Sequence, residues 1–109
     1  MDERRQGPLY STRADDPEAA AQLDRFVLDL AERIDLLQDA DAAGEIDVLI
    51  RGAAQLSQHA RDVGHETLGA VALRVADMAR EGKADDAHAD LVELTAVAQR
   101  VRRGHGGAP

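Results

Sequence analysis

The side chains of this chain best suited to chemistry are its four histidines, His59, His65, His88 and His105, because it contains no cysteine. That absence removes disulfides, thiolate metal sites and a cysteine nucleophile. His59, Asp62, His65 and Glu66 are clustered and all carry metal-ligating groups. Two ligands on one helical face need i, i+3 or i+4 spacing, which His59 and Asp62 have, but Gly64 breaks the helix before His65, so no metal site is expected. His65, directly after that glycine, reads as a packing or capping residue. His88 lies among Asp85, Asp86 and Asp90 on a solvated face, and His105 lies in the tail. Carboxylates are abundant, yet none is accompanied by a base and a nucleophile, and no glycine-rich loop cradles phosphate. The chain is therefore expected to be no enzyme and to need no cofactor.

Twenty-one acidic against 13 basic residues give a net charge of −8. Such a balance repels nucleic acid and anionic membrane, so neither is an expected partner. The basic cluster Arg100, Arg102 and Arg103 falls where the last helix ends, and cations there complement the helix dipole. No apolar run approaches the roughly 20 residues of a membrane span, and "MDERRQGPLYSTR" lacks the apolar centre of a signal peptide. A cytoplasmic protein is expected.

The elements that must position these residues are helices. Leu23, Phe26, Val27, Leu30, Ile34 and Leu37 form one stripe at helical spacing, and Ile46, Leu49, Ile50, Ala53, Leu56, Ala60 and Val63 form a second. Leu68, Val71, Ala72, Val75 and Met78 form a third, and Ala87, Leu91, Leu94, Ala98 and Val101 a fourth. Gly44, Gly64 and Gly82 separate them, as suits the left-handed conformation common at helix ends. Asp15 and Asp16 before Pro17 predict a short helix beginning there. Short connections make successive helices antiparallel, so the expected fold is all-α, an up-down antiparallel four-helix bundle with a short N-terminal helix. The pattern predicts a disordered arm over residues 1–7, the bundle over 8–103 and a disordered tail over 104–109. Leu9 and Tyr10 are expected to pack onto the bundle. Leu73 falls on an outer face, where it is available to a partner or a second copy, so the chain is expected to be a monomer or a weak homodimer.

The segment "AAQLSQHARDVG", Ala53 to Gly64, resembles the signature helix of the histidine phosphotransfer domain, whose pattern is approximately A-H-x-L-K-G-x-x-x-x-x-G. Ala53, Leu56 and Gly64 occupy matching positions, and Leu68 follows at the expected distance. "LDRFVLDLAERIDLLQDADAAGEID" is similar to the family's preceding helix and turn, and "PLYSTRADDP" resembles the leader of some bacterial members. The resemblance implies a four-helix bundle operating in two-component signalling. Its chemical positions are degenerate: Ala54 stands where the phospho-accepting histidine would, Ser57 where the lysine would, and Gln58 where the small glycine would. A methyl group offers no nucleophilic lone pair, and serine does not offset phosphate charge.

The resemblance therefore implies a non-catalytic adaptor or decoy, whose partner is the receiver domain of a response regulator or a histidine kinase. Arg51, Ala54, Gln58 and Arg61 are the expected partner-binding residues, the arginines facing the acidic phosphorylation pocket of a receiver. Two alternatives stay open. One is an active phosphocarrier using His59, which lies roughly 140° around the helix from Ala54. The other is a bundle serving purely as an interaction or assembly module.

Overall fold

A computed structural model of the chain describes residues 7–105. It contains four helices, α1 (Ala20–Ala43), α2 (Ile46–Asp62), α3 (Glu66–Arg80) and α4 (Ala84–Gly104), and no strand among the described residues. The apolar stripes explain the assembly. All six stripe residues of α1 are buried, and Leu49, Ala53, Leu56 and Ala60 of α2 meet Leu68, Val71, Ala72 and Val75 of α3 in the same cluster. Leu91, Leu94, Ala98 and Val101 bring α4 into that cluster. Each helix packs on the next, and α4 packs back on α1.

Three turns of one design join the helices. Gly44, Gly64 and Gly82 take positive φ of 71°, 84° and 76°. The N–H of the residue after each glycine reaches five residues back, from Glu45 to the Ala40 carbonyl, His65 to Ala60 and Lys83 to Met78. These bonds satisfy carbonyls that a helix end leaves without partners.

The ends of the chain depart from the sequence-based expectation. Residues 17–19 are turns leading into α1 rather than a separate short helix. Asp16 Oδ1 accepts the Glu18 N–H at 2.9 Å and the Asp16 carbonyl accepts the Ala19 N–H, a local turn that replaces the first helical turn. Leu9 packs against the core, but Tyr10 is 67% exposed, because the extended arm points successive side chains to opposite sides. Ile46 is also exposed: it opens α2, before that helix meets its neighbours. Leu73 is half-buried rather than outermost. Helix α4 continues through Gly104, so the expected tail boundary after residue 103 falls inside the helix, and residues 1–6 and 106–109 lie outside the described residues.

Candidate functional site

Helix α2 carries the candidate site, and its helical period divides the positions of interest among three faces. Leu49, Ala53, Leu56 and Ala60 point into the core. Arg51, Ala54, Gln58 and Arg61, spaced by three, four and three residues, share a second face. Ala54 is half-buried and packs against the core, leaving part of its methyl group at the surface. Gln58 is exposed, its Nε2 donating to Asp62 Oδ1 at 3.3 Å. Arg51 and Arg61 are exposed and form no hydrogen bond or ion pair with the described residues. The stem of Arg61 lies over α3 at Gly69, where an added Cβ would come within 3.0 Å of Arg61 Cγ.

Ser57 stands apart from this surface. It is buried, and its hydroxyl donates to the Gly69 carbonyl at 2.8 Å, pinning α2 to α3. Ala54, Ser57 and Gln58 therefore do not form one exposed patch: Ala54 and Gln58 share a face, whereas Ser57 belongs to the helix–helix contact.

The histidines separate into different environments. His59 is exposed on the opposite flank of α2, where it lines a groove of about 730 Å³ between α1 and α2. His65 is buried and precedes α3, and its ring stacks on Phe26 with centroids 6.2 Å apart and planes 23° apart. It packs rather than caps, since its side chain makes no capping hydrogen bond. Burial, and secondarily the charge of His105, lowers its pKa. His88 Nδ1 lies 2.7 Å from Asp41 Oδ2 and His105 Nε2 lies 2.8 Å from Asp24 Oδ1. No group of three or more metal-ligating side chains occurs among the described residues.

No family model, curated protein or solved structure matches the chain. Function must therefore be argued from the residues themselves.

Sequence reasoning missed two features around α2. The first is the N-terminal arm, which is tied to the α2–α3 turn. Thr12 N–H donates to the Gly64 carbonyl at 3.0 Å, Arg13 Nη1 to the Asp62 carbonyl at 2.8 Å, and the Ser11 hydroxyl to the Val63 carbonyl. At the far end of α4, Leu9 N–H donates to the Arg100 carbonyl at 2.9 Å and Arg100 Nε to the Gly7 carbonyl at 2.8 Å. The arm thus supplies donors to carbonyls at the C-terminal ends of two helices. The sequence signal for its tie to the α2–α3 turn is the run of hydroxyl and cationic residues Ser11, Thr12 and Arg13. The second is the α1–α2 groove, whose Arg33 and Gln55 lie at positions that the apolar pattern assigns to solvent.

Proposed function

We propose that the protein is a non-catalytic, histidine-phosphotransfer-like docking module of bacterial two-component signalling, built as an up-down antiparallel four-helix bundle. It binds the receiver domain of a response regulator, or a histidine kinase, through Arg51, Ala54, Gln58 and Arg61, acting as adaptor or decoy without accepting phosphate. One observation carries this reading: the half-buried Ala54 shares a helix face with two exposed arginines, Arg51 and Arg61, that pair with nothing described, in a chain whose net charge is −8. Arginines without a partner among the described residues, beside a shallow apolar spot, suit the acidic pocket of a receiver, since the guanidinium fork matches carboxylates and rim charges steer the encounter.

The test is calorimetric titration of the full chain against the receivers and kinases of its source. Arg51→Glu, at an exposed position, is expected to weaken the productive interaction about tenfold or more while the melting temperature stays nearly constant. Ala54→Asp is expected to weaken it similarly, with a modest loss of stability because the position is half-buried. If no receiver or kinase binds the wild type, or if binding ignores both changes, the assembly-module reading replaces this one.

Exposure of His59 beside the groove keeps the carrier reading testable. With phosphorylated receivers or a small phosphodonor, no acid-labile, base-stable phosphate is expected on the wild type. Phosphate that disappears in His59→Ala establishes the carrier instead.

A further inference from the structure

The groove between α1 and α2 has an apolar floor and a cation, Arg33, whose donors have no hydrogen-bond partner among the described residues. Phe26 and Val63 are both buried and form its base, and Leu36, 58% exposed, extends the apolar surface at one end. Gln55 and His59 line the opposite wall. Arg33, half-buried on α1, has its guanidinium carbon 6.0 Å from the Phe26 ring centroid and makes no hydrogen bond or ion pair with the described residues. Burial lowers its pKa while Asp29, one turn earlier, acts in the opposite direction. Arginine nevertheless stays protonated in proteins, so a partly desolvated positive charge with a free fork of donors persists there.

We propose that this groove binds a small amphipathic monocarboxylate, its carboxylate on Arg33 and its apolar body along Phe26, Val63 and Leu36. The volume of about 730 Å³ lies within the range of small-molecule sites. Charge decides the ligand class. Asp29, Glu32 and Asp62 also line the groove, against Arg25 and Arg33, so every negative charge on a ligand beyond the one that Arg33 holds adds repulsion, and a dianion is disfavoured relative to a single carboxylate. Those three carboxylates are exposed and well hydrated, whereas Arg33 is half-buried; the less solvated charge interacts more strongly, which favours a single carboxylate over an amine. The Gln55 amide, across the groove, provides a further donor for a carboxylate oxygen. This site lies on the α1 flank of α2, away from Arg51 and Ala54, and does not rest on the docking proposal.

The experiment is an amide NMR titration of the full chain with three isosteric probes: 2-naphthoate, 2-naphthamide and 2-naphthylmethylamine. Saturable shifts at Phe26, Arg33, Gln55 and His59 are expected with naphthoate, which binds more tightly than the other two. Arg33→Gln is expected to weaken naphthoate about tenfold or more and to leave naphthamide unchanged, because only the charge-assisted fork is lost. Arg33→Lys keeps the charge without the fork and is expected to fall between. Absence of saturable groove shifts on the wild type, an amine that binds as tightly as the carboxylate, or an Arg33→Gln variant of undiminished naphthoate affinity overturns the proposal. The ranking of the three probes on the wild type decides the matter even if a substitution impairs folding.

Discussion

At the scale of single residues, the three turn glycines have similar left-handed backbone conformations and unequal surroundings. A Cβ at Gly44 or Gly82 would meet nothing within 4 Å, so alanine there costs only the left-handed backbone penalty, about 1–2 kcal/mol. At Gly64 the same atom would lie 2.6 Å from Ser11 Oγ, 2.7 Å from Thr12 Oγ1 and 2.9 Å from the Arg13 backbone nitrogen. Gly64→Ala is therefore expected to destabilise measurably more than Gly44→Ala or Gly82→Ala, as equilibrium urea unfolding will show. Equal losses at all three sites mean that the arm does not press on the turn. In the core, Leu30 and Leu56 are fully buried, and truncation of either to alanine is expected to cost about 2–5 kcal/mol in the same assay. A loss near zero at Leu56 places α2 on the wrong face.

At the scale of elements, the helices were legible because burial on one side imposes a 3.6-residue period that polar substitution interrupts. The stripe Leu23, Phe26, Val27, Leu30, Ile34 and Leu37 is the buried face of α1 without addition apart from Ala40. The α2–α3 turn was legible for the same reason, since a glycine closing an apolar stripe has few other uses. The packing of Leu9 was legible in the arm, but the arm's tie to the helix ends was not, because it depends on main-chain carbonyls of Asp62, Val63, Gly64 and Arg100, which no residue type announces. The burial of Ser57 was hidden too: a small hydroxyl beside a core stripe reads as polar surface until Gly69 brings the facing helix within hydrogen-bond distance. The arm makes its own prediction. A Cβ at Gly104 would collide with the Leu9 carbonyl, so Gly104→Ala is expected to displace the arm while the helices stay assembled. Hydrogen exchange checks this: the Leu9 and Thr12 amides lose protection and the amides of α3 retain theirs. Unchanged protection at Leu9 and Thr12 means the arm is held independently of that contact.

At the scale of the whole molecule, the seam between α1 and α4 completes the assembly, and histidines stand at both of its ends. His88 meets Asp41 at one end and His105 meets Asp24 at the other, with Gln38 Nε2 donating to Thr95 Oγ1 at 3.1 Å between them. Each of those imidazoles is in contact with a carboxylate. His65 is the opposite case. It is buried against Phe26, and burial together with His105 lowers its pKa, so the unfolded chain takes up a proton more readily than the folded one. The native state is consequently favoured in full above the unfolded imidazole value of about 6.5, and it loses stability as pH falls from there through the lowered folded value. Over that window the slope contributed by one proton is at most about 1.4 kcal/mol per pH unit. Urea unfolding between about pH 7.5 and pH 5 measures it, because the carboxylates titrate mainly below that range. His65→Gln is expected to be less stable than the wild type at the upper end, having lost the stacked ring, yet to lose less on acidification, so that the two stability curves converge as pH falls. Parallel curves for wild type and variant mean that the acid sensitivity does not come from His65.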